Sequence, residues 1–216
     1  MQTFAQFLNE KDSTDEVRKM AQAVYRDCQP FLKQIPNGKL NKHSLYRGMR
    51  NDAPLLNRVR KDRQPKDMKR EVHEFLDGFF FEDFGVRYRS QAMFCSPSMQ
   101  MADEYGRVYL IFPKGEFDYS YSPKYHDLWV DWRKFVDVSP TFGNDMEPEV
   151  TKEMVRKFYD AGDYVHNENF PGIWTASNDS GDMVELMVHC DEYYAVPADS
   201  EYFFFRTLRK LMESGE

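Results

Sequence analysis

Phe94–Ser122, FCSPSMQMADEYGRVYLIFPKGEFDYSYS, is the stretch whose reading decides the fold. Ser98 is placed to cap a short helix that Gly106 stops. Val108–Phe112 is then an apolar run of strand length, ended by Pro113-Lys114-Gly115, and Phe117–Tyr121 is a further, aromatic-rich strand. Upstream, Val86–Phe94 reads as a strand running into the serine pair. Strands dominate this half of the chain and helices lead the other, so the class is α+β with antiparallel or mixed sheets rather than a doubly wound parallel sheet.

Working outward, Ser13 with Glu16 three residues on has the capping-box form. Val17, Met20, Ala21, Val24, Cys28, Phe31 and Leu32 follow at helical spacing, which predicts a helix bent or broken at Pro30. Ahead of it, Phe4, Phe7 and Leu8 form a short amphipathic piece too small to bury its own face. His43–Met49 reads as a strand closed by Gly48. Asp52 and Pro54 open a short helix, and Asp67 caps another that puts Val72, Phe75, Leu76 and Phe79 on one face. Tyr125–Phe135 is helical, and Asp145 or Pro148 starts a helix through Phe158 that ends at Gly162. Tyr164–Gly181 is polar and irregular, a long surface loop. Met183–Cys190, Tyr193–Val196 and Tyr202–Phe205 read as strands, the last followed by a basic helix from Thr207. The organisation is an N-terminal helical segment, residues 1–40, followed by a body of residues 41–216.

The composition excludes several classes. With 216 residues, 41% of them hydrophobic and 18 Phe and 13 Tyr among them, the chain fills one well-packed core rather than remaining disordered. No apolar run reaches the roughly 20 residues that span a bilayer, and the N-terminus lacks a basic segment followed by a long apolar one, so neither a membrane nor secretion is expected. Cys28, Cys95 and Cys190 are an odd number at wide spacing, which argues against a disulfide framework and a thiolate zinc site and for a reducing compartment. The net charge of −7 is unevenly spread. Residues 1–70 carry 16 Lys and Arg against 8 Asp and Glu, whereas residues 71–216 carry 13 against 28. The run Arg58–Arg70, RVRKDRQPKDMKR, can hold phosphate groups or an acidic partner, or be a solvated helix surface.

Familiar catalytic signatures are missing: the sequence has no GxxxxGK[ST], GxGxxG, GxSxG or HExxH. His43, His73, His126, His166 and His189 have no metal-ligand spacing, so no metal is expected. What remains is an ordered set. Leu45-Tyr46-Arg47-Gly48 lies on an early strand, Phe94-Cys95-Ser96-Pro97-Ser98 ends a middle one, and Glu185 opens a late one, VELMV.

This order and these elements resemble the mono-ADP-ribosyltransferases of the arginine–serine–glutamate class, whose motifs are an aromatic-Arg-Gly strand, a Phe-x-Ser-Thr-Ser strand end and a Glu before an apolar strand. The resemblance covers about residues 44–121 and 184–196, and leaves about 125–181 as an insertion without counterpart. The chain also resembles a group of bacteriophage proteins that share YRGM, RKDRxP, FG, a YG–FP pair and a late Glu with a Tyr-Tyr pair. The resemblance implies split mixed or antiparallel sheets around an NAD cleft, with NAD consumed as a substrate and no metal.

By the same resemblance Glu185 grips the ribose and stabilises its developing charge, and Ser96 orients Glu185. Arg47 holds phosphate or ribose through a forked set of donors, which Lys cannot reproduce. Gly48 lets the backbone approach the nicotinamide, and Phe94 with Tyr105 or Tyr119 forms a stacking wall. Tyr46 and Ser98 complete the NAD-binding set. Alternatives stay open beside these roles. Ser96 and Ser98 can be a turn and a helix cap, and strand alternation also allows Glu185 to be the wet side of a half-buried strand. Glu192, in CDEYYAVP, rivals Glu185, but Glu185 has Tyr193-Tyr194 eight and nine residues on, the family's register. Met183 stands where arginine-modifying members carry a second Glu or Gln, which puts arginine as acceptor in doubt.

The expected partners are NAD and an unidentified host macromolecule, read as a protein, with no membrane. The expected location is host cytoplasm, with packaging in the virion through Met1–Glu10 as a further expectation. Two other readings compete: a non-catalytic phage protein that keeps the fold for binding, and an NAD glycohydrolase with water as acceptor.

Overall fold

A computed structural model describes residues 4–64, 68–136, 149–174 and 184–214. The chain opens with α1 (Phe4–Asp27), α2 (Gln29–Gln34), β1 (Tyr46–Met49) and β2 (Leu56–Arg58). Then come α3 (Arg70–Phe84), α4 (Tyr88–Gln91), β3 (Met93–Cys95), α5 (Met99–Asp103), β4 (Arg107–Lys114) and β5 (Asp118–Tyr121). It closes with α6 (Leu128–Phe135), α7 (Lys152–Ala161), β6 (Val165–His166), β7 (Leu186–His189), β8 (Glu192–Pro197) and α8 (Glu201–Ser214). The strands form two four-stranded antiparallel sheets, β1-β4-β8-β2 and β3-β7-β5-β6. The chain is α+β, as the patterning predicts.

Helix α1 buries Val17, Ala21 and Val24, the face its spacing marks out. Pro30 enters the first turn of α2, where a missing N–H is harmless, so the break falls at Cys28. Ser13 lies inside α1 rather than at its cap. Both helices pack into one core with β4, β8 and Phe204, Phe205 and Leu208 of α8. A second core joins Val72, Leu76, Phe79 and Phe80 of α3 to Trp132 of α6 and Val155 and Phe158 of α7. Strand β7 separates the two: Leu186 and Val188 face the first core and Met187 the second. A strand covered on both faces carries apolar residues at every position, which explains the run LMV. Among the described residues no helix is long and apolar enough to cross a membrane.

Several sequence expectations are corrected. Asp52 and Pro54 precede no helix; Leu56–Arg58 is an edge strand paired with β8. Val86–Phe94 is not one strand, because Tyr88–Gln91 turns helical and only Met93–Cys95 pairs with β7. Gly48 lies within β1 rather than closing it. The aromatic run Tyr202–Phe205 is helical: Phe204, Phe205 and Leu208 are buried while Tyr202 and Phe203 are exposed, the alternation of a helix face. Tyr164–Gly181 is not all surface loop, since Val165–His166 pairs with β5 and Phe170 and Ile173 are buried. Helix α7 is capped by Thr151, whose Oγ1 accepts from Met154 N at 3.2 Å. The expected starts at Asp67, Asp145 and Pro148 lie outside the described residues.

Candidate active site

The two sheets touch where β1 meets the end of β3. Tyr46 N donates to Ser96 O and Ser96 N to Tyr46 O, each at 2.8 Å. Next to this bridge Arg47 Nη1 donates to Phe94 O at 2.7 Å. Beyond the bridge Ser98 caps α5, its Oγ accepting from Met101 N at 3.3 Å. That helix lies hard against β1: a Cβ on Gly48 would stand 1.9 Å from Ala102 O. Only glycine permits this approach.

The result is an open cleft of about 630 Å³, solvent at its mouth included. Tyr46, Arg47 and Gly48 of β1, Phe94 and Ser96 of β3 and its end, and Glu185 just before β7 all line it. Met101, Ala102 and Tyr105 close one side, and Arg63, His126 and Asp127 complete the wall. Tyr105 is 59% exposed and stands at the mouth.

Positive charge dominates the interior. The Arg63 guanidinium lies over the Phe94 ring, 3.7 Å from its centre, and Arg89 lies over the same ring at 4.9 Å. Arg63 Nη1 is buried without a hydrogen-bond partner among the described residues, and so is Arg89 Nε. Burial, together with Arg89, pulls the Arg63 guanidinium down to about 10. Burial pushes the Glu185 carboxyl up to about 7, with Asp127 adding to the rise and Arg89, Arg63 and Arg47 opposing it. Three guanidiniums outnumber the Glu185 and Asp127 carboxyls, which leaves a net positive site that suits an anionic ligand.

Of the residues singled out from sequence, Arg47, Gly48, Tyr46, Phe94, Ser96, Tyr105 and Glu185 converge on this cleft. Two do not line it. Ser98 serves as the α5 cap, and Tyr119 is buried on β5, edge-on to Phe170 at 5.0 Å. Glu192 does not line it either; it pairs with Lys114 at 2.6 Å and Arg58 at 3.4 Å. The Ser96 hydroxyl accepts from Ser98 N at 3.0 Å and faces Met101 Sδ at 3.7 Å, so it is held within the serine turn rather than on Glu185. The space expected beside Gly48 for nicotinamide is taken by Ala102. Met183 lies outside the described residues.

Arg63, Arg89, His126 and Asp127 were not separable from the sequence. Arg63 stood among six other basic residues of Arg58–Arg70, and nothing distinguished it until the fold turned it inward. Its neighbours in that run face elsewhere: Arg60 pairs with Asp62 at 3.3 Å, and Lys61 donates to Cys190 O at 2.9 Å. Asp127 did carry a signal, since Asp preceding a Trp-containing helix is a preferred cap. Among the described residues no group of His, Cys, Asp and Glu is arranged to hold a metal ion.

No protein-family model, no curated protein and no solved structure matches the chain.

Proposed function

We propose that the protein is a mono-ADP-ribosyltransferase with an ADP-ribosyltransferase-like cleft, transferring ADP-ribose from NAD to a macromolecular acceptor, a host protein during phage infection. The observation that carries this reading is the meeting of Arg47, Ser96 and Glu185, drawn from three separated segments, in one cleft. Cleavage of the nicotinamide–ribose bond makes the sugar carbon cationic, and a nearby carboxylate lowers that barrier. Glu185 supplies it. The pyrophosphate needs fixed cations, and Arg47 with Arg63, whose Nη1 has no partner among the described residues, fits that need. Tyr105 at the mouth provides an aromatic face for the nicotinamide or adenine ring.

Adenine-labelled NAD incubated with bacterial lysate tests the proposal. Label in discrete protein bands with the native chain, lost in Glu185→Gln, supports it. Free ADP-ribose alone would make water the acceptor, and no NAD consumption would leave a binding protein.

A further inference from the structure

The cleft holds a second carboxylate. Asp127 lines it together with Glu185, from the start of α6. It is rigidly placed: Oδ1 accepts from Trp129 N and Val130 N at 2.9 Å each. Its own N–H donates to Asp131 Oδ2 at 3.3 Å, and His126 N donates to the same oxygen at 2.8 Å. Capping uses one oxygen of the pair. The other, Oδ2, makes no hydrogen bond among the described residues.

Two carboxylates in one cleft with different surroundings divide acid–base work between them. Glu185 is faced by Arg47, Arg63, Arg89 and Asp127, in the part of the cleft that suits the phosphates and ribose. Asp127 is not hydrogen-bonded to any of these arginines, and it belongs to the segment that the sequence motifs do not cover. A transferase must also remove a proton from the acceptor as the new bond forms, and that requires a base within hydrogen-bond reach.

We propose that Asp127 is the acceptor-side base of the transfer reaction, an inference that rests on that reaction. The bond from the ribose carbon to the nicotinamide nitrogen breaks, and nicotinamide leaves with the electron pair. A lone pair on the acceptor's hydroxyl oxygen or nitrogen forms the new bond to that carbon. The acceptor proton passes to Asp127 Oδ2 and then to solvent. No oxidant, reductant or further reactant is needed.

The test uses the full chain, adenine-labelled NAD and total bacterial lysate protein, and compares native with Asp127→Asn. Asn caps helices as well as Asp does, so a melting curve close to native is expected. Protein-bound label per NAD consumed should fall about a hundredfold, the scale of a lost general base. Removing the Asp127 charge should also move the acid limb of NAD consumption to lower pH, because that charge raises the Glu185 carboxyl, whereas only loss of the acceptor-side base lowers label per NAD consumed. A label-to-consumption ratio within about twofold of native would overturn the inference, as would equal loss of labelling and consumption. If the native chain consumes no NAD, the transferase reading itself falls, and this inference with it.

Discussion

The Arg63 guanidinium lies over Phe94, 3.7 Å from the ring centre, while Arg47 Nη1 donates to the carbonyl of the same residue at 2.7 Å. Phe94 thus fixes two cations from distant segments on one wall of the cleft. A ring that immobilises a guanidinium lowers the entropy lost when the guanidinium grips an anion.

Replacing Arg63 by Gln should therefore weaken NAD binding by about 10- to 100-fold, the scale of a charge-assisted hydrogen bond. Arg60→Gln, in an exposed pair with Asp62, should stay within about twofold. Calorimetric titration with NAD checks both. Equal effects would mean that bulk positive charge, not Arg63, holds the ligand.

Glu185→Gln should lower NAD consumption by about a hundredfold or more, because it removes the charge while keeping the shape. Glu192→Gln should leave consumption near native, since Glu192 is held by Lys114 and Arg58 away from the cleft. Steady-state kinetics on the two variants decide between these acids.

The raised Glu185 carboxyl has two consequences with opposite directions. If it works as a carboxylate, kcat/KM for NAD should climb with pH through about 7 and level off above. Stability should move the other way. Between the ordinary carboxyl value of 4.5 and about 7, the folded chain binds a proton that the unfolded chain has released, so stability falls as pH rises through this window. Glu185→Gln avoids the loss, and should be more stable than native at pH 8 by on the order of 2 kcal/mol, with little difference at pH 4. Urea unfolding at the two pH values reads this out.

Gly48→Ala should cost about 3 kcal/mol or more, because the new Cβ meets the Ala102 carbonyl, which is backbone and cannot rotate away. The variant should also lose NAD binding, since α5 forms a wall of the cleft. Ser98→Ala, which removes only the cap of that short helix, should cost about 1 kcal/mol and affect binding less. Thermal melting and titration separate the two.

The elements most legible in the sequence are those whose periodicity stands alone. Val17 to Leu32 announces α1 and α2, and Val108–Phe112 announces β4. The errors fall where local and tertiary preferences disagree. Four consecutive aromatic residues at Tyr202–Phe205 favour a strand by propensity, but burial of Phe204, Phe205 and Leu208 against α1 makes them a helix. Leu56–Arg58 carries no strand pattern of its own and is extended because β8 offers an open edge.

By itself, the sequence determined the class of fold, the helical N-terminus, and which arginine, serine and glutamate to compare, because periodicity and motif order are local properties of the chain. Only the tertiary structure decided that Arg47, Ser96 and Glu185 share a cleft, that Arg63 and Asp127 join them, and that Ser98, Tyr119 and Glu192 do not. The physical reason is distance along the chain. The cleft forms where Tyr46 and Ser96 bridge two separate sheets, and no local pattern records which strand ends will meet.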